Sequence, residues 1–128
     1  MLYFDMGREN TPKRIFKTSW FAKVAKKARI KDADLCEAIQ EVINGQAVDL
    51  GGGIFKKRLN NNQHRSIILA KGDCYWIYEY LFAKKDRDNI DDIELIDFRK
   101  LAKLYAGLSV KQVEQLVHEK SLIEICYE

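Results

Sequence analysis

Three β-prone segments follow one another between Ile54 and Ala83 with only short polar connections between them, and this run constrains the fold more than any other feature. Ile54 to Leu59 reads as a strand, Asn60-Asn61-Asn62-Gln63 as a hairpin connection, and Arg65 to Lys71 as a second strand around Ile67-Ile68-Leu69-Ala70. Lys71-Gly72-Asp73 is a tight turn, and Cys74 to Ala83 is a third strand rich in aromatic and β-branched residues. Consecutive strands joined this tightly make an antiparallel meander.

Helical patterns flank the meander. Arg14-Ile15-Phe16-Lys17-Thr18 is a short leading strand, after which Thr18 or Ser19 caps a helix reaching Lys27 or Ala28. Phe21, Val24, Ala25 and Ala28 share one face of it. Asp32 is the expected cap of a second helix with Leu35, Ala38, Ile39, Val42 and Ile43 inward, stopped by Asn44-Gly45. Beyond the meander a helix runs from about Asp91 to Ala106 and ends at Gly107. Ser109-Val110-Lys111-Gln112 is a capping box before another short helix, and Leu122 to Tyr127 alternates as a closing strand. Gly51-Gly52-Gly53 lacks the GxxxxGK[ST] pattern and opens onto a strand, which excludes a phosphate-binding loop and leaves a turn.

With 128 residues, 47% of them hydrophobic, the chain forms one domain with a core of its own. Residues 1–12 read as an irregular tail, flexible or left over from cloning. Cys36, Cys74 and Cys126 are odd in number, contain no CxxC pair and sit among apolar neighbours. The expectation is three reduced thiols in a cytoplasmic protein, with no metal site. No apolar run approaches 18 residues, so no membrane association is expected.

The net charge is only +3, but it is segregated. Residues 13–31 carry eight Lys/Arg and no acid, 32–50 five acids and no base, 51–89 eight bases against four acids, and 90–128 eight acids against five bases. Such segregation suits a basic face for a polyanion, although solvated helix faces produce charge runs too. By strand alternation Phe55 and Leu59 look inward and turn Lys57 toward the sheet edge, while Lys56 and Arg58 stand on the other, open face. His64 and Arg65 open the next strand, and Lys84, Lys85 and Arg87 follow the third. These clusters converge as phosphate donors, with Arg able to bind bidentately and Lys as a point charge. Tyr75, Trp76, Tyr78 and Tyr80 are available for base stacking or for the core. The competing reading of Lys56-Lys57-Arg58 is a solubilising edge strand.

The chain resembles the RelE/ParE toxin superfamily, in particular RelE-type cytotoxic translational repressors of bacterial type II toxin–antitoxin systems. The resemblance is carried by Ile15-Phe16-Lys17-Thr18-Ser19-Trp20-Phe21, Asp32-Ala33-Asp34-Leu35-Cys36-Glu37-Ala38, Asp49-Leu50-Gly51-Gly52-Gly53-Ile54-Phe55-Lys56-Lys57-Arg58-Leu59, Phe82-Ala83-Lys84-Lys85-Asp86-Arg87-Asp88-Asn89-Ile90 and Leu122-Ile123-Glu124-Ile125-Cys126. It implies an α+β fold over residues 13–128, a small antiparallel twisted sheet packed against N-terminal helices with additional C-terminal helices. It also implies a toxin neutralised by a cognate antitoxin of helix-turn-helix type, which cleaves mRNA on the ribosome without metal or other cofactor and meets operator DNA only through the antitoxin.

By position the resemblance makes Arg65 and Arg87 phosphate clamps, gives Lys85 substrate binding or proton transfer, and places Lys56, Lys57, Arg58 and Lys84 on the RNA. His64 is the candidate base, because its ordinary pKa allows proton exchange near neutrality. The chain departs from the family just beyond the basic turn. There well-studied members carry a tyrosine or histidine, whereas this chain reads Ile90-Asp91-Asp92-Ile93, with Tyr127 only a distant substitute. A gyrase-inhibiting, ParE-like toxin and a non-catalytic co-repressor acting with its antitoxin stay open as alternatives.

Overall fold

A computed structural model describes residues 13–72 and 74–127; the expected tail at 1–12 and the last residue of the turn at 71–73 lie outside the described residues. The described residues form β1 (Arg14–Thr18), α1 (Ser19–Lys27), α2 (Asp32–Ile43), β2 (Val48–Gly51), β3 (Ile54–Leu59), β4 (His64–Lys71), β5 (Tyr75–Ala83), α3 (Asp92–Ala106), α4 (Val110–His118) and β6 (Leu122–Ile125).

Three helices start where short oxygen-bearing side chains satisfy their free amides. Thr18 Oγ1 accepts from Phe21 N at 3.0 Å, Asp91 Oδ1 from Glu94 N at 2.8 Å, and Ser109 Oγ from Gln112 N at 3.1 Å. In the last two, the residue three along reaches back, Glu94 to Asp91 N and Gln112 to Ser109 N. At α2 the expectation is off by one. Lys31 occupies the cap position and Asp34 accepts its amide at 3.0 Å, so Asp32 is the first helical residue and its carboxylate instead pairs with Lys17 Nζ at 2.6 Å.

The six strands form one sheet in the order β2-β3-β4-β5-β1-β6. The meander is antiparallel as expected. β1, however, pairs parallel with β5, Ile15 opposite Trp76 and Phe16 opposite Ile77, and β6 closes antiparallel on the far side of β1. The edge strand β2 was not anticipated. It is held by pairing with β3, because Val48 and Asp49 are exposed and carry no apolar alternation of their own.

Helices cover both faces of the sheet. On one face Phe21, Ala25, Leu35 and Ile39 pack with Ile68, Trp76 and Tyr78, and the buried Tyr78 Oη donates to Leu35 O at 2.7 Å. On the other, Ala102 and Val113 pack with Phe16, Ile54, Ile67, Leu69 and Phe82. The face expected to be open therefore lies under α3 and α4 over part of its length. The Gly51–Gly53 turn is one reason α3 can lie so close: a Cβ on Gly52 would come within 2.9 Å of Arg99 Cγ, and Arg99 donates to Leu50 O. No helix among the described residues is long and apolar enough to cross a membrane.

The expectation of three reduced cysteines is corrected. Cys36 on α2 and Cys126, the residue after β6, are joined in a disulfide across a sequence separation of 90, leaving Cys74 as the free thiol. Closure of β6 onto β1 is what brings these two residues together, and pairing so remote in sequence leaves no trace in local spacing.

Glu79 on β5 supplies a pH-dependent feature. It is half-buried on the α3 side, where Tyr105 Oη donates to its Oε1 at 3.3 Å, and burial pushes its pKa up to about 7. The folded state thus keeps a proton that the unfolded chain releases near pH 4.3. Stability is greatest below that value and declines as pH rises toward about 7, beyond which the full cost of the buried charge persists. Glu79→Gln is expected to be more stable than the parent at pH 8, by on the order of 1–2 kcal/mol after allowing for partial exposure. Urea titrations at pH 5 and pH 8 check this; a difference independent of pH would refute it.

Candidate nucleic-acid interface

The two register neighbours at the start of β4 diverge. Arg65 lies opposite Arg58 on β3 and Phe82 on β5, on the face toward α3, whereas His64 lies opposite Leu59 and Ala83 and points the other way. This alternation divides the basic residues into two groups at one end of the sheet.

The first group is a row across β3, β4 and β5. Lys56 and Arg58 share the α3-side face of β3, Arg65 follows on β4, and the Arg87 guanidinium sits over the Phe82 ring at 5.4 Å from its centroid. Arg65 is only 8% exposed, and its Nη1 donates to Asn62 O at 2.9 Å and His64 O at 3.2 Å. Those bonds brace a connection in which Asn60, Asn61 and Asn62 all adopt left-handed φ values of 55°, 54° and 70°. Asparagine tolerates that region better than other residues with a Cβ. One nitrogen of the Arg65 guanidinium is thus engaged by the protein's own backbone.

The second group lines a groove between the C-terminal half of α1 and the ends of β4 and β5. Its larger part, about 880 Å³, is bordered by Lys27, Asn62, His64, Lys84, Lys85 and Asp88. An adjoining hollow of about 460 Å³ shares Lys27, His64 and Lys85 and adds Trp20, Tyr80 and Arg87. Arg87 alone belongs to both groups. It is held by Glu94 from the first turn of α3, Nη1 to Oε2 at 3.0 Å and Nη2 to Oε1, and it also donates to Asn89 O at 2.9 Å and Tyr80 Oη at 3.4 Å. The Arg87 guanidinium holds the Glu94 carboxyl below the usual carboxylate range. Lys57 belongs to neither group. It turns to the α2 side, where Nζ pairs with Glu41 at 2.8 Å and donates to Gln46 O at 3.0 Å.

A family model described as "RelE toxin of RelE / RelB toxin-antitoxin system" matches residues 13–125. The chain belongs to the RelE toxin family. It is therefore a toxin of a toxin–antitoxin system, and an antitoxin is its implied partner. Searches of curated proteins and of solved structures returned no match.

In this RelE chain the imidazole of His64 has a defined surrounding. Burial, opposed by Asp86 and reinforced by the charge of Lys85, lowers its pKa and favours the neutral ring. Asn60 Nδ2 lies 3.2 Å from His64 Nδ1 and 3.5 Å from Ala28 O, so the amide nitrogen sits between two acceptors. With Nδ1 accepting from Asn60, the neutral ring carries its proton on Nε2. Trp20, Lys27 and Asn60 were not singled out from the sequence as site residues. For two of them a signal was present: Trp20, Val24 and Lys27 fall at i, i+4 and i+7 on one side of α1.

Proposed function

We propose that this RelE-family toxin is a metal-independent endoribonuclease that cleaves mRNA, acts in the cytoplasm on the ribosome and so represses translation, and is silenced when its antitoxin binds. The observation that carries the reading is the meeting of Lys27, His64, Lys84, Lys85 and Arg87 around one groove, from elements up to 60 residues apart in the chain. Such density of donors suits a phosphodiester.

Cleavage by a 2′-hydroxyl requires that it lose its proton, attack the neighbouring phosphorus and expel the 5′-oxygen, leaving a 2′,3′-cyclic phosphate. The negative charge that builds on the non-bridging oxygens is the largest obstacle, and preorganised donors offset it most effectively. Arg87 is the principal clamp, aimed by Glu94 and the Asn89 carbonyl. His64 contributes its Nε2–H to a phosphate oxygen, a donor's role in place of the base expected from sequence. Proton transfer is assigned to Lys85. Lys84 and Lys27 hold flanking phosphates, and Lys56 and Arg58 extend the track along β3. The partner antitoxin is read as a helix-turn-helix protein that brings the toxin to operator DNA.

The test is cleavage of a defined mRNA by the purified protein, with and without ribosomes, in the presence of EDTA. Products ending in 2′,3′-cyclic phosphate, at codons positioned in the ribosomal A site, are expected. Growth arrest on expression with intact mRNA and an induced DNA-damage response would overturn the nuclease reading.

A further inference from the structure

Trp20 is the large aromatic side chain left most nearly bare beside the groove. It is 47% exposed, although it lies in the first turn of α1, next to the buried Phe21. Its indole stacks on Tyr80 with centroids 5.3 Å apart and planes 18° from parallel. Tyr80 in turn packs on Phe82 and on Phe98 of α3, each at 5.8 Å. The inner face of the indole is thus backed by a fixed row of rings, and the residue borders the hollow that also holds His64, Lys85 and Arg87.

Leaving an indole half in water keeps apolar surface wet unless something else covers it. What covers it is constrained by its neighbours. Lys27 stands on the same side of α1, and Lys84 and Lys85 line the adjoining part of the groove. A flat ring set among cations suits a planar group attached to a polyanion.

We propose that Trp20 is a base-stacking platform, which seats one nucleobase of single-stranded RNA on its open side while Lys27 and Lys85 take the phosphates on either side of that nucleotide. The assignment rests on the nuclease reading above and adds to it how the strand is held. Stacking accepts any base, because every base has a π face, so Trp20 contributes grip and register, with sequence preference left to other contacts. The base must be unpaired to lie flat on the ring, so duplex RNA is a poor ligand.

The chain has two tryptophans, and Trp76 is nearly buried in the core beneath α1, which makes fluorescence of the Trp76→Phe variant a selective probe. In the Trp76→Phe variant, a short single-stranded RNA is expected to quench the emission, saturating at the Kd that anisotropy of labelled RNA reports. Trp20→Ala is expected to weaken binding of that RNA by about 10-fold or more, and Trp20→Phe by much less. An oligonucleotide lacking one base should lose a similar factor against the parent protein and almost none against Trp20→Ala. Lys27→Ala should lower the salt slope of binding by about one phosphate contact. If RNA binds with normal affinity while emission stays unmoved and Trp20→Ala binds like the parent, the platform assignment falls and the nuclease reading stands. If Trp20→Ala instead loses only its antitoxin, the patch is a protein interface and the assignment falls. RNA that fails to bind the parent at all overturns the platform, whereas the nuclease reading falls only if mRNA also stays uncut with ribosomes present.

Discussion

Replacing Arg87 with alanine is expected to lower kcat for RNA cleavage by about 10²-fold or more while the protein stays folded. The size follows from position. Arg87 is the one cation shared by the row across β3–β5 and by the groove. Its guanidinium is not searching for a geometry, since Glu94, the Asn89 carbonyl, the Tyr80 hydroxyl and the Phe82 ring together fix its plane. Preorganisation of this kind is what makes a donor effective against charge appearing in the transition state. Both groups of the ion pair lie near the surface, so the fold should tolerate its loss. Arg87→Lys retains the charge but not the fork, and should recover only a small part of the rate. Glu94→Gln removes the carboxylate that fixes the guanidinium and should lower kcat by a smaller factor. Single-turnover rates with the enzyme in saturating excess over the RNA, alongside thermal melts, check this; Arg87→Ala cleaving at the parent rate would remove the clamp from the mechanism.

Reducing the Cys36–Cys126 bond is expected to cost about 4 kcal/mol of stability, the largest single effect anticipated for the fold. The loop it closes spans 90 residues, so the cross-link removes much of the freedom of the unfolded chain in the loop-entropy account. It also ties the end of β6 to α2, where both sulfurs lie against a core that includes Leu35, Ile39 and Ile125. A loss of this size lowers Tm by roughly 10 °C or more in a domain of this length. Melts with and without dithiothreitol, repeated on Cys126→Ser, check it. Equal Tm values in both conditions would show that the bond contributes nothing. The free Cys74 should leave the comparison unaffected.

The elements written in local patterns were legible in advance. The meander, α1, α3 from about Asp91 to its stop at Gly107, and α4 with its Ser109–Gln112 box all follow from alternation, helical spacing and caps, and the structure has them within a residue or so. What escaped was set by distant pairing. β2 exists through β3, the parallel match of β1 with β5 joins segments about 60 residues apart, and Cys126 finds Cys36 only once β6 is in place. The site divides in the same way. Alternation correctly put Lys57 apart from Lys56 and Arg58, but its pairing with Glu41 depends on where α2 lies. Arg65 reads as a surface cation in sequence, whereas the folded hairpin buries it against its own carbonyls. Trp20 was absorbed into the expected helix, because nothing local says that its ring would reach Tyr80.

The seam at β1 has a consequence in time. Strand β1 is flanked in the finished sheet by Tyr75–Tyr78 on one side and Leu122–Ile125 on the other. A nascent chain therefore carries Arg14–Thr18 with both edges vacant until the meander is made, and with one edge vacant until Leu122–Ile125 follows. Because such non-local closure is slow, β1 is expected to be the last seam of the sheet to seal during folding.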